Sequence, residues 1–173
     1  MKKFFLVLTT VFSLVVFGAQ APVFALADTV KLTILHTNDY HGHFWKDSNG
    51  QYGLAAQKTL VDKIKAEVAA DGGYVLVLSG GDVNTGVPES DLQDAEPDFK
   101  GMCRIGYDAM VLGNHEFDNP LEVLQKQQDW ACFPFLGANV VVKATDKPAF
   151  HAYRTFDFNG FKVSVFGLTI QST

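Results

Sequence analysis

The chain has 173 residues, 47% of them hydrophobic, with 14 Lys and Arg against 19 Asp and Glu and a net charge of −5. An acidic protein has no general pull on a polyanion, so a nucleic-acid polymer is not expected as a partner. The length and apolar content suit one domain with one buried core.

In chain order the first element is a leader. Lys2 and Lys3 precede an apolar stretch from Phe4 to Phe17, and Ala25-Leu26-Ala27 follows as a small-x-small cleavage pattern. Residues 1–27 are therefore expected to be a signal peptide, with Ala19-Gln20-Ala21 as a second cleavage pattern. The stretch is shorter than the roughly 20 residues a spanning helix needs. No stable membrane anchor is expected, and the destination is the periplasm or the cell exterior. Cleavage after Ala27 removes two Lys and leaves residues 28–173 with a net charge of −7.

Val30–Leu35 then reads as a buried strand, and Tyr52–Ala69 as a helix with Leu60, Val61, Ile64 and Val68 on one face. Asp71-Gly72-Gly73 breaks it, and Tyr74–Leu78 is a second apolar strand. A helix over Pro97–Ile105 stops at Gly106, and Ala109–Leu112 is a third strand. Asn119, Pro120 and Glu122 form a helix start with a capping box, and that helix runs to about Ala131. Phe133–Ala138 reads as a strand. Tyr153–Phe158 and Phe161–Leu168 flank Asn159-Gly160, a two-residue hairpin signal. Strand and helix alternation that turns into a hairpin predicts an α/β sandwich with mixed sheets. Cys103 and Cys132 each fall near a predicted helix end. Export admits a disulfide between them, and two separate buried thiols fit the sequence equally well.

Three polar blocks follow directly on the first three strands: Asp39-Tyr40-His41, Gly81-Asp82 and Gly113-Asn114-His115-Glu116-Phe117-Asp118. Parallel strands deliver such blocks to one edge, where open α/β sheets bind ligands. Asp39 and His41 are two apart, so on an extended strand end both point the same way. Asp82 is a carboxylate able to bridge ions, beside a glycine pair that leaves room. Asn114 offers a neutral oxygen. His115 can donate a proton, and Asp118 can fix its tautomer. Carboxylate, amide and imidazole donors together suit hard to borderline divalent metals. His36 is expected in the core, His43 and His151 on the surface, and Glu116 as a support for its loop.

His36-Thr37-Asn38-Asp39-Tyr40-His41-Gly42, Ser79-Gly80-Gly81-Asp82 and Gly113-Asn114-His115-Glu116-Phe117-Asp118 resemble the signature blocks of calcineurin-like metallophosphoesterases. Within that family the chain is most similar to exported 5′-nucleotidases. The resemblance implies part of a four-layer α/β/β/α sandwich and two divalent metal ions (Zn, Mn, Co or Mg). It implies Asp39, His41, Asp82 and Asn114 as metal ligands, and His115, Asp118 and Asn114 in catalysis. The implied reaction is hydrolysis of nucleoside 5′-phosphates or related small nucleotides. The same fold on 2′,3′-cyclic nucleotides, UDP-sugars or sulfur-bound esters is the alternative, and a truncated, non-catalytic fragment is another.

The sequence departs from the family after residue 151. No His follows His151, whereas the family has further His-containing blocks that complete both metal shells. The resemblance therefore implies that residues 28–173 are the N-terminal portion of the domain, incomplete at the C-terminus, with the substrate domain absent.

Overall fold

The computed structural model describes residues 29–50 and 53–171. The leader expected over residues 1–27 lies outside them. The elements are β1 (Leu32–Thr37), α1 (Leu54–Ala70), β2 (Tyr74–Ser79), α2 (Pro88–Asp91), α3 (Glu96–Ile105), β3 (Ala109–Val111) and a 3-10 turn at His115–Phe117. Then come α4 (Leu121–Trp130), β4 (Phe135–Leu136), β5 (Val141–Val142), β6 (Lys147–Pro148), β7 (Tyr153–Phe158) and β8 (Phe161–Phe166). No helix among the described residues is long and apolar enough to cross a membrane.

β1, β2, β3 and β4 form one parallel sheet in that order. Each connection steps one strand further the same way, so right-handed crossovers put the helices on a single face. α3 accordingly packs between α1 and α4. Alternate residues Val75, Val77, Met110 and Phe135 meet this helix layer, with Phe99, Met102 and Met110 fully buried. Each such side chain contributes about 1.5–3 kcal/mol by leaving water.

The opposite face carries Tyr74, Leu76, Val111 and Leu136. There the antiparallel β7–β8 hairpin docks. The Tyr74 and Phe158 rings lie 4.9 Å apart, and a Cβ on Gly167 would come within 2.8 Å of Leu136 and Val111 side-chain atoms. Parallel and antiparallel pairing thus occur in separate sheets. The described residues show a helix layer, a parallel sheet and a β-hairpin, an α/β fold of the expected class.

Some local expectations shift. α4 starts after Pro120, whose extended backbone (ψ 149°) holds it outside the helix, so the anticipated Asn119 cap and its box do not form. α3 matches closely and ends at Gly106 in the left-handed conformation. His36 is exposed rather than buried. It shares a face with Ile34 on β1, the sheet's edge strand, and Ile34 is itself 54% exposed. Cys103 and Cys132 form a disulfide, with Cα atoms 5.5 Å apart, which ties the end of α3 to the residues after α4.

Candidate metal centre

The three polar blocks meet at the C-terminal edge of the parallel sheet, held mainly by backbone contacts. Past Thr37 the chain leaves β1 and hangs on the loop after β2. The N–H groups of Asp39, His41 and Gly42 donate to the carbonyls of Gly81, Asp82 and Val83 at 3.1, 3.2 and 2.8 Å. Asp39, His41 and Asp82 all take left-handed backbones, with φ of 53°, 49° and 52°. That differs from the extended strand end expected for Asp39 and His41. Left-handed non-glycine residues each cost about 1 kcal/mol or more and cluster at ligand clamps.

The second and third loops approach as closely as glycine allows. A Cβ on Gly81 would lie 2.4 Å from the Gly113 nitrogen, and one on Gly113 would lie 2.1 Å from Asp82 Oδ1. The Asp82 carboxylate therefore occupies the space a side chain at 113 would need. The His115 N–H donates to that same Oδ1 at 2.9 Å.

His41, Asp82 and His115 each offer one ligand atom, and these atoms all lie within 4.8 Å of one another. The two imidazole rings stand edge to face, with centroids 4.8 Å apart. His41 Nδ1 donates to the Thr85 carbonyl at 2.9 Å, leaving its Nε2 lone pair free of that bond. His115 Nδ1 bonds Asp118 Oδ2 at 2.7 Å, and Thr85 Oγ1 donates to the same oxygen at 2.8 Å. The Asp118 hydrogen bond raises the His115 pKa, and the same bond lowers that of Asp118. Sequence reasoning missed Thr85, which has no motif around it. It serves both histidines, one through its carbonyl and one, by way of Asp118, through its hydroxyl.

Asp39 stands beside this group. Asn38 Nδ2 donates to its carboxylate. That bond is the main reason Asp39 lies below the ordinary carboxylate range. Asn114 is exposed at the start of the 3-10 turn, next to His115. The structure thus brings His115, assigned to catalysis from sequence, into the same tight group as His41 and Asp82.

Buried polar groups brace the site from behind. Tyr40 Oη donates to Asp98 Oδ1 at 2.9 Å, and Ser90 Oγ donates to Asp98 Oδ2 at 2.7 Å. Burial raises the pKa of Asp98 and also that of Glu116. Asn84 and Gln127 exchange side-chain amide bonds at 3.3 and 3.1 Å. None of these pairings has a short sequence signal, since each joins residues many positions apart or on different elements. A cavity of ≈ 840 Å³, lined by Tyr40, His43, Phe44, Trp45 and Lys46, reaches the centre only at Asp39.

Among the described residues no Lys or Arg forms an ion pair with Asp39 or Asp82. Two neighbouring carboxylates and two imidazoles without a cationic partner fit a divalent ion, which supplies the missing positive charge.

The profile of the family described as calcineurin-like phosphoesterase matches residues 32–167. The chain belongs to that family. It is 66% identical over 145 residues to the 5′-nucleotidase of Vibrio cholerae, covering 84% of this chain and 26% of that protein. It is 63% identical over 145 residues to Protein UshA of Escherichia coli, again 84% of this chain and 26% of the relative. Among solved structures, the Haemophilus influenzae NAD nucleotidase superposes with a TM-score of 0.71 at 29% identity, covering 82% of this chain and 27% of that one. The 5′-nucleotidase precursor of Thermus thermophilus gives 0.68 at 33% identity, over 80% and 28%. The chain thus spans about a quarter of the length of these relatives.

Proposed function

We propose that this chain carries the metal-binding part of an exported two-metal phosphoesterase that hydrolyses nucleoside 5′-phosphates or related nucleotides to nucleoside and phosphate. The observation that carries this is the convergence of His41, Asp82 and His115 at the sheet edge, with Asp118 bonded behind His115. The names of the relatives, 5′-nucleotidase and NAD nucleotidase, support a nucleotide as the substrate. Residues 1–27 are the export signal in this proposal, and residues 28–173 the N-terminal portion of the phosphoesterase domain. The Cys103–Cys132 disulfide suits an oxidising compartment.

Asp39, His41, Asp82 and Asn114 would hold the ions. Two divalent ions, when bound, supply Lewis-acid charge to the phosphoryl oxygens and lower the pKa of water. His115 is the proton donor to the leaving oxygen. Its bond to Asp118 sets the tautomer and favours the imidazolium, which carries the proton to be given.

In the full-length protein that carries this chain, the test compares wild type with His115→Ala in metal content and in phosphate release from a nucleoside 5′-monophosphate, a 2′,3′-cyclic nucleotide and a UDP-sugar. A proton donor predicts turnover reduced about 10²–10⁴-fold with metal content unchanged. Loss of metal in His115→Ala would instead make His115 a ligand. Absence of metal-dependent phosphate release from wild type on every one of these substrates would overturn the proposal.

A further inference from the structure

We infer that Glu116 is a positioning residue whose buried carboxylate sets the backbone of both the Asp82 and the His115 loops, and so fixes the metal centre. This inference rests on the metal-binding function proposed above.

Glu116 is 1% exposed, yet among the described residues no Lys, Arg or His side chain forms an ion pair with it. Its partners are backbone N–H groups from two different loops. Oε2 accepts from Asp82 N at 2.8 Å and from Gly113 N at 2.7 Å. Oε1 accepts from Val83 N at 2.8 Å and from Asn84 N at 3.4 Å. Three consecutive amides, 82 to 84, thus converge on one carboxylate. The left-handed Asp82 at φ 52° helps fold this stretch into a concave nest for an anion.

Two consequences follow for the centre. Asp82 is held through its own N–H in a conformation that costs energy on its own. His115 is the residue before Glu116, and its N–H grips Asp82 Oδ1. One carboxylate therefore sets both residues relative to each other through backbone N–H groups, with none of these bonds going to the Asp82 carboxylate or the His115 imidazole.

The chemistry demands a carboxylate. Each oxygen of Glu116 serves two N–H donors, so an amide in either orientation turns an NH₂ group toward two of them. Glu116→Gln, nearly the same shape, should therefore displace either the Asp82 and Gly113 amides or those of Val83 and Asn84. Glu116→Asp keeps the charge and withdraws it by one methylene.

The experiment measures Mn²⁺ affinity by calorimetric titration, in wild type, Glu116→Gln and Glu116→Asp, well below each melting temperature. Near-ultraviolet dichroism confirms that each variant is folded. Outer-sphere supports of metal ligands are worth about 10–100-fold in affinity. Folded Glu116→Gln should lose Mn²⁺ affinity by that factor, with Glu116→Asp retaining more of it. A purely structural role would lower the melting temperature and leave the affinity at the wild-type value, which would overturn the inference. If wild type itself binds no Mn²⁺, the function proposed above fails first. Should neither variant fold, amide hydrogen exchange on metal-free wild type decides. The N–H groups of Asp82, Val83 and Gly113 should be protected, and exchange at open-loop rates would overturn the inference.

Discussion

Gly113→Ala gives the most direct test of how tightly the centre is built. The added Cβ would lie 2.1 Å from Asp82 Oδ1, 2.7 Å from Asp82 Cγ and 2.7 Å from Asp82 N. A carbon and an oxygen rest at roughly 3.3 Å, so about 1 Å must be found by moving Asp82 or the loop. Overpacking of this kind costs about 1–3 kcal/mol, a fall in Tm of roughly 2–4 °C per kcal/mol at this chain length. The effect on the ion should be larger. Ligand distances tolerate only about 0.2 Å, so a 1 Å shift of Asp82 removes it from the shell. The assay is thermal unfolding with and without Mn²⁺. An ion at about 100 times its Kd stabilises wild type by about 2.7 kcal/mol, and Gly113→Ala should lose most of that increment. Gly72→Ala is the control, because Gly72 has φ +70° and, among the described residues, nothing lies within 4 Å of a new Cβ. It should cost about 1–2 kcal/mol from backbone strain alone and keep the full metal increment. If Gly113→Ala also keeps it, the carboxylate at Asp82 does not bind the ion.

Reducing the Cys103–Cys132 disulfide frees a chain segment of sequence separation 29. It should cost up to about 3–4 kcal/mol by the chain-entropy account, read as a lower urea midpoint, and an unchanged midpoint would count against the bond. Burial of Asp98 raises its folded pKa above the ordinary 3.8. Its contribution to stability is therefore full below the unfolded pKa and declines as pH rises through the folded one. The urea-midpoint penalty of Asp98→Asn should accordingly be largest near pH 3.5 and smaller at pH 7, and a penalty that grows toward pH 7 would refute the sign.

What the sequence made legible was local. β2 shows as a run of apolar residues, α3 as a helix with a glycine stop, and the β7–β8 turn as Asn159-Gly160. Each signal is complete within a few positions. The rim blocks were legible for the same reason, since a dense polar block directly after a buried strand cannot continue the core and must lie at the sheet's edge. What escaped depended on partners far along the chain. The left-handed backbones at Asp39 and His41 exist because their N–H groups reach carbonyls of Gly81 and Asp82. β1 looked like an interior strand, but its edge position leaves Ile34 and His36 exposed. The support by Asp98 needs α3 packed beneath Tyr40, and nothing in the spacing of residues 40 and 98 announces it.

The contacts also rank the loops. The Asp39–His41 loop hangs on carbonyls of the Asp82 loop, and the Asp82 loop hangs on the Glu116 carboxylate. Asp82 therefore sits in the middle of a chain of dependence, just past the strand that pairs with both β1 and β3. A disturbance at Asp39 or Asn114 stays at the rim. One at Asp82 or Glu116 reaches every donor in the group, because the loops on both sides take their position from that stretch. Most of the ordering that an ion would otherwise impose is already made by backbone hydrogen bonds within the protein. Binding then spends less of its free energy on arranging ligands, which is how a preorganised site gains affinity.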